Sequence, residues 1–233
     1  MNDLWNKLAS GASASLGASQ HEQFSQYLDL LFAANQTMNL TRIVDRPTAE
    51  VQHIGDSLTL LPYLPVRPIS IADVGTGGGV PGIPLAIARP DASVLLIEST
   101  KKKAAFLKQA VAELKLANVQ VSDDRAEDVG HSARRESFDV VVARAVATLD
   151  WLAEWCLPLA KVGGHMLAMK GAKAAEELPL AGRAIRMLGG SDAVSYPVEL
   201  PGADHHVIIQ ICKSHKTDRQ FPRPAPIAKG RPL

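Results

Sequence analysis

The sequence has few of the features that mark secreted, membrane-spanning or metal-binding proteins. Its 233 residues include two cysteines, Cys156 and Cys212, which form neither a metal-binding spacing nor a disulfide framework. No apolar run approaches the roughly 20 residues that a membrane helix needs, and the N-terminus shows no charged-then-apolar signal pattern. We therefore expect a reduced cytoplasmic protein with no metal, no membrane contact and no stable protein partner.

The charge is nearly balanced, at +1 overall, and by itself does not indicate a nucleic-acid partner. The region from Lys213 to Leu233 differs, because it holds six Lys or Arg residues, four prolines and one acid, Asp218. This composition predicts that residues 214–233 form a flexible tail that buries little apolar surface. A basic flexible tail suits RNA, although many such tails only solvate one end of a chain, and composition leaves both possibilities open.

The hydrophobic content of 46% is enough for one α/β domain with a helical extension. We expect the helical extension over residues 1–65. Apolar side chains recur there at helical spacing over 20–36, and a second helix is expected over 48–61. From Ile69 onwards, strands and helices alternate up to residue 213, which favours a mostly parallel sheet with helices on both faces. The predicted strands are 69–74, 93–98, 119–122, 138–143 and 163–169, with an antiparallel hairpin from 193–198 and 206–211.

A glycine-rich segment, D-V-G-T-G-G-G-V-P-G, follows the first predicted strand over residues 73–82. Glycines at the carboxyl end of a strand let the backbone turn tightly and approach a ligand without a Cβ clash. Residues 77–82 match the dinucleotide fingerprint G-x-G-x-x-G, while residues 73–79 match D-x-G-x-G-x-G, which resembles motif I of Rossmann-like methyltransferases. A purely structural turn is a third alternative, and the loop alone does not choose among them.

Glu98 ends the next predicted strand, where a carboxylate is placed to accept both hydroxyls of a cofactor ribose. Nicotinamide enzymes and methyltransferases share this device, so Glu98 does not separate the two. The order of the segments favours a methyltransferase over a nicotinamide enzyme, because helices come first and only a tail follows the predicted sheet. No further domain is then expected to hold a hydride acceptor, although a nicotinamide-dependent oxidoreductase stays the alternative function.

Further stretches make the chain resemble the bacterial ribosomal RNA small subunit methyltransferase G family, also called GidB. The resemblance extends over most of the chain and is more specific than the glycine loop. The matching stretches are Asn39-Leu40-Thr41, His53 to Leu58, Asp73 to Pro84, Lys102 to Leu107, Glu113-Leu114, Arg125-Ala126-Glu127, Ala143-Arg144-Ala145, Lys170-Gly171, Phe221-Pro222-Arg223 and Lys229 to Leu233.

The resemblance implies a Rossmann-like fold that binds S-adenosylmethionine and transfers its methyl group to N7 of a guanine in the 530 loop of 16S rRNA, guanine 527. The partner would be 16S rRNA or the small ribosomal subunit. The cofactor-binding residues carried over from the family, with the further glycine of the loop, are Gly75, Gly77, Val80, Glu98, Ala126, Glu127 and Arg144.

The chemistry of guanine N7 bears on which catalytic residues to expect. N7 carries a free lone pair, so no general base is needed to expose it, and holding the reacting atoms in line could supply most of the catalysis. The sequence accordingly predicts no catalytic base. His53 is a further candidate for substrate contact, with a structural hydrogen bond between helix and sheet as its alternative role. Lys170, at the end of the fifth predicted strand, is a candidate for contact with a phosphate of the substrate. For Arg144 the alternative to a site role is a surface ion pair.

Overall fold

A seven-stranded sheet organises the chain in the computed structural model, which describes residues 2–12, 14–144, 146–202 and 204–233. Of Asn2 and Lys229 only the backbone is described, and Ala145, part of one matching stretch, lies outside the described residues. The strands are β1 (Ser70–Val74), β2 (Ser93–Ile97), β3 (Val119–Ser122), β4 (Phe138–Arg144), β5 (Ala160–Lys170), β6 (Gly190–Pro197) and β7 (Val207–Lys213).

The strand order is β3-β2-β1-β4-β5-β7-β6. Strands β1 to β5 pair with one another in parallel, whereas β7 pairs antiparallel with both β5 and β6. The predicted fold class is therefore confirmed, including the antiparallel hairpin at the end. The chain order reverses between β1 and β4, and open α/β sheets bind ligands beyond the carboxyl ends of the strands at such a point.

Helices cover both faces of the sheet and create two hydrophobic cores. The helices are α1 (Asn2–Ser10), α2 (Ala18–Met38), α3 (Arg46–Ala49), α4 (Asp56–Leu58), α5 (Gly82–Ala88), α6 (Lys101–Glu113), α7 (Ala126–Gly130), α8 (Leu149–Cys156), α9 (Ala174–Met187) and α10 (Ala225–Gly230). One core packs α1, α2, α5 and α6 on the sheet, and the other packs α7, α8 and α9 on the opposite face. Residues alternate between the cores along β4, where Val140 and Val142 face one and Val141 the other.

A π-helical stretch, Glu50–Gly55, joins α3 to α4 without a break. Such wide turns often occur at functional sites, because they leave backbone carbonyls free for other partners. Asp45 caps the start of this helical segment, since its Oδ1 accepts a hydrogen bond from the backbone N–H of Thr48 at 2.9 Å. The segment packs its buried face, including Ile54 and Leu58, into the first core. No described helix is both long and apolar enough to cross a membrane.

The expectation that residues 214–233 bury little apolar surface is wrong for the described part of this tail. Phe221 is buried in the second core, and Ala228 on α10 is buried as well. Arg223 forms a two-pronged ion pair with the buried Glu154 of α8, with N···O distances of 2.7 Å for each prong. Composition could not predict these contacts, because a single aromatic ring and a single ion pair anchor the segment. The average composition of residues 214–233 is still polar.

Arg135 holds the same segment from the other side. Its guanidinium donates to the backbone carbonyls of Thr217, Asp218 and Phe221 at 2.6–3.0 Å. Lys213, buried beneath, donates to the carbonyls of Leu157 and Leu188. Arg135 thus ties the tail to the sheet domain through backbone carbonyls, a kind of contact that uses little apolar area.

We predict that Phe221→Ala lowers the free energy of unfolding by about 3 kcal/mol, because it leaves a cavity in the second core. Urea denaturation measures this change. The matched control is Ile227→Ala on α10, since Ile227 is 54% exposed and its truncation should change stability by less than about 0.5 kcal/mol. Equal stability of the two variants would show that the tail does not pack on the core.

Candidate functional site

A cavity of about 400 Å³ opens at the carboxyl ends of β1, β2 and β4. Its size falls in the range that holds a small-molecule cofactor. The structure brings all seven sequence-predicted cofactor residues into its lining, namely Gly75, Gly77, Val80, Glu98, Ala126, Glu127 and Arg144. We call it the donor cavity.

The glycine loop forms the floor of the donor cavity and needs glycine at specific positions. Gly75 has φ +69° and Gly77 has φ +59°, in the left-handed region that side chains rarely adopt. A Cβ on Gly77 would meet only the carbonyl of Gly75, at 4.0 Å, so it would project into open space. The backbone at Gly77 is therefore bare toward the cavity, as close approach to a ligand requires.

Asp73 fixes the shape of this loop from below. Its Oδ2 accepts from the hydroxyl of Thr76 at 2.5 Å and from the backbone N–H of Gly82 at 2.8 Å. One carboxylate oxygen thus joins both ends of the loop. Burial raises the pKa of Asp73 to about 6, and the hydrogen bonds from Thr76 and Gly82 offset part of this rise.

Helix α2 closes over the loop from the other side. The hydroxyl of the fully buried Tyr27 donates to the carbonyl of Gly78 at 2.8 Å. A Cβ on Gly78 would come within 2.9 Å of Leu31 on the same helix. The N-terminal helical segment is therefore in direct contact with the cofactor loop.

Glu98 lies at the end of β2, with 8% of its surface exposed. Its Oε2 accepts from the backbone N–H of Gly77 at 3.1 Å, and its Oε1 accepts from that of Thr100 at 2.8 Å. Two backbone bonds orient the carboxylate toward the cavity and leave lone pairs for the hydroxyls of a ligand. Glu127, in the first turn of α7, presents a second buried carboxylate to the same cavity.

Arg144 ends β4 and lines both the donor cavity and a second cavity beside it. Its Nη1 donates to the carbonyl of Gln52 at 2.7 Å and to Oδ2 of Asp56 at 3.0 Å. Its Nη2 lies 3.3 Å from Nδ1 of His53. Three groups from the π-helical stretch and α4 thus clamp the guanidinium, and the arginine separates the two cavities.

His53 is buried behind Arg144 and lines neither cavity. Because Arg144 can only donate, Nδ1 must accept from it, and Nε2–H then donates to Oγ1 of Thr41 at 2.9 Å. Burial, together with the positive charge of Arg144, lowers the pKa of His53 to about 4. The imidazole is therefore neutral and holds Arg144 in place, while direct contact with a substrate stays a prediction.

Lys170 ends β5 and lines the second cavity, on the far side of Arg144 from the donor cavity. Its Nζ donates to the carbonyl of Ala147 at 2.8 Å and pairs with Glu177 of α9 at 2.6 Å. The sequence predicts Lys170 at the carboxyl end of the fifth strand, and it lies there in the structure. That it contacts a phosphate stays a prediction.

Several residues of the donor cavity were missed by sequence reasoning. They are Leu40, Thr76, Lys103, Val146 and Trp155, among others. Lys103 carried a signal, since three lysines at the start of a helix oppose the helix dipole and therefore suggest an anionic neighbour. Trp155 carried none, because its place depends on how α8 packs beside α7. No group of three or more metal-ligating side chains occurs among the described residues.

Two solved structures that share this architecture are described as methyltransferases. The chain matches an S-adenosylmethionine-dependent O-methyltransferase from Thermotoga maritima with TM-score 0.53 and 15% identity, covering 81% of this chain and 72% of the other. It matches a variant of the 16S rRNA (adenine(1408)-N(1))-methyltransferase from Catenulisporales acidiphilia with TM-score 0.51 and 16% identity, covering 65% and 88%. The fold is therefore that of the S-adenosylmethionine-dependent methyltransferases.

Sequence comparison gives the family. Residues 20–203 match the model for GidB, rRNA small subunit methyltransferase G. The protein of that name from Chloroflexus aggregans is 42% identical over 219 residues, 94% of this chain and 92% of its own. The one from Pelotomaculum thermopropionicum is 45% identical over 217 residues, 92% and 91% of the two chains. The chain belongs to the rRNA small subunit methyltransferase G family.

We predict that Asp73→Asn changes how stability depends on pH. The folded-state pKa of about 6 lies above the unfolded value of 3.8, so the carboxyl group stabilises the fold most when it is protonated. As pH rises from 4 to 7, the wild type should lose about 2 kcal/mol relative to the variant, measured by urea unfolding at several pH values.

The control for this experiment is Asp91→Asn. The hydrogen bond from Arg89 lowers the pKa of Asp91, so the wild type should gain a little stability over this variant as pH rises. Parallel pH profiles for the wild type and Asp73→Asn would contradict the account of the buried carboxylate.

Proposed function

We propose that this protein transfers a methyl group from S-adenosylmethionine to N7 of a guanine in the 530 loop of 16S rRNA, guanine 527. Family membership supports rRNA of the small subunit as the substrate. The observation that carries the proposal is the convergence of the seven predicted cofactor residues on one cavity at the switch point of the sheet. The N7 position rests on the resemblance described above.

The donor cavity fits S-adenosylmethionine in its size and in the chemistry of its walls. Glu98 would accept the ribose hydroxyls, since its position at the end of β2 suits that contact in this fold. The bare backbone at Gly77 leaves room for close approach of the methionine part. Ala126 and Glu127 would flank the adenine. The carboxylates of Glu98 and Glu127 also favour a ligand with positive charge, as the sulfonium has.

When bound, the sulfonium supplies an activated methyl group, so the protein has to position the acceptor rather than activate it. The clamp on Arg144 serves this purpose, because Gln52, His53 and Asp56 leave its guanidinium one orientation between the two cavities. A fixed donor at that point could bind an acceptor atom of the guanine and orient N7. Such positioning accounts for rate enhancement without a general base.

We predict that small subunits from cells lacking this protein gain one N7-methylguanine in the 530 loop when incubated with the protein and S-adenosylmethionine. Borohydride and aniline treatment cleaves RNA at N7-methylguanine, and primer extension then locates the site. Methylation at another rRNA position would refute the finer assignment alone. No methyl incorporation into rRNA, by a protein that binds the cofactor, would refute the proposed function.

We also predict that Gly77→Ala weakens binding of S-adenosylhomocysteine about tenfold, because the new Cβ strains the positive φ and enters the cavity. Calorimetry measures the affinity, with Gly182→Ala on α9 as the control. NAD serves as the competing ligand in the same assay. Saturable NAD binding without S-adenosylhomocysteine binding would favour the alternative, a nicotinamide-dependent oxidoreductase.

A further inference from the structure

We infer that the second cavity is the pocket that receives the target guanine nucleotide after it leaves the RNA stack. The inference rests on the proposed function and names the site where its substrate base is recognised. The cavity measures about 460 Å³ and is lined by residues of six helices and strands and of the loops between them, including Gln52, Asp56, Lys170, Gly171, Lys173 and His206. We call it the base cavity.

The position of the base cavity supports this role. It shares Arg144 with the donor cavity, so the two spaces adjoin at this side chain. A base in one cavity and a methyl donor in the other would therefore meet at this arginine. Enzymes that modify a base commonly draw it into such a pocket, because the reacting atom is inaccessible within stacked RNA.

Two ion pairs line the base cavity and give it both hydrogen-bond donors and acceptors. Arg144 pairs with Asp56 at 3.0 Å, and Lys170 pairs with Glu177 at 2.6 Å. The imidazole Nδ1 of His206 lies 3.4 Å from the other oxygen of Asp56. Asp56 is 2% exposed, so its charge is shielded from bulk water and tied to the two groups that flank it.

This combination matches guanine better than the other bases. The Watson–Crick edge of guanine offers two neighbouring N–H donors, N1 and N2, beside the acceptor O6, and N7 is a second acceptor. Carboxylates such as Asp56 and Glu177 accept from the first pair, while Arg144 and Lys170 donate to O6. Adenine and cytosine present the opposite polarity at part of this edge, so a carboxylate would face an acceptor there.

The mouth of the base cavity suits the phosphate of the same nucleotide. Lys173 is exposed there, directly before α9, and His206 is half-exposed at the start of β7. The hydrogen bond with Asp56 raises the pKa of His206, which favours its positive form beside a phosphate. The cavity thus changes from paired charges inside to cationic groups at the rim.

Gly171 provides a direct steric test. A Cβ on this exposed residue would meet no atom within 4 Å, so a larger side chain fits without disturbing the fold. Gly171→Leu should fill part of the base cavity and lower kcat/KM for methylation of small subunits about 100-fold, since small displacements of reacting atoms are that costly. The affinity for S-adenosylhomocysteine should stay within twofold of the wild type.

The matched control is Gly182→Leu on α9, away from both cavities. Its Cβ would meet only the flexible end of Arg186, at 3.5 Å, and its kcat/KM should equal that of the wild type. Thermal unfolding of both variants confirms that each is folded. If Gly171→Leu methylates subunits as fast as the control, the base cavity does not receive the target.

Base preference is tested with free nucleotides on protein saturated with S-adenosylhomocysteine, which blocks the donor cavity. Saturation-transfer NMR should detect guanosine monophosphate at an affinity about tenfold above adenosine monophosphate. Asp56→Asn should remove this preference, and Lys173→Ala should weaken both nucleotides equally. Equal binding of the two nucleotides to the wild type would overturn the guanine assignment.

The two proposals fail in different ways. If the wild type methylates no rRNA at all, the proposed function is wrong. If it methylates guanine N7 while Gly171→Leu and Asp56→Asn keep the wild-type KM and nucleotide preference, the function stands and the assignment of the base cavity is wrong.

Discussion

The clamp on Arg144 is the contact on which the rest of the site depends. The guanidinium lies at the end of a central strand, where it is 18% exposed, and binds a carbonyl, a carboxylate and an imidazole from a single helical segment. A cation this far from water needs such partners, because desolvation without them would cost several kcal/mol. The same bonds attach the N-terminal helical segment to the sheet and define the boundary between the two cavities.

The charges around the clamp are mutually adjusted. The positive charge of Arg144 lowers the pKa of His53 and that of the buried Asp73, although burial raises Asp73 more. A neutral His53 can accept from the arginine, whereas a protonated one would repel it. Arg144 is thus a fixed cation that lines both cavities. Buried carboxylates lie on either side of it, Glu98 in the donor cavity and Asp56 in the second cavity.

The glycine loop beside the clamp is held by contacts of its own. Asp73 joins its two ends, and Tyr27 of α2 binds the carbonyl of Gly78 at its tip. The loop is therefore held by a strand residue and by the N-terminal helices together. The N-terminal helices therefore pack directly against this loop, although the sequence suggested a separate extension.

The sheet and the donor cavity could be predicted from the sequence. The alternation of strands and helices indicates a parallel sheet, and the carboxyl ends of parallel strands lie along one edge. Gly75, Glu98 and Arg144 each follow a strand, so their convergence is a consequence of topology. The position of His53 behind Arg144 could not be predicted, since it depends on the π-helical stretch and on packing across more than 90 residues of sequence.

The packing of residues 214–233 could not be predicted from the sequence either. Their composition is polar and rich in proline, and yet Phe221 is buried in the second core and Arg223 pairs with Glu154 of α8. The base cavity could not be predicted either, because its lining comes from six elements that are far apart in the chain. Pair contacts of this kind leave no periodic signal in a single sequence.

A crystal structure with S-adenosylhomocysteine and guanosine monophosphate bound together tests the central claim most directly. The account predicts the ribose of S-adenosylhomocysteine on Glu98 and the guanine in the base cavity beside Asp56. It also predicts that N7 faces the sulfur at the edge of the Arg144 guanidinium, with no side chain between the two atoms. It is contradicted if S-adenosylhomocysteine occupies the base cavity, or if the sulfur lies on the side of the donor cavity away from Arg144.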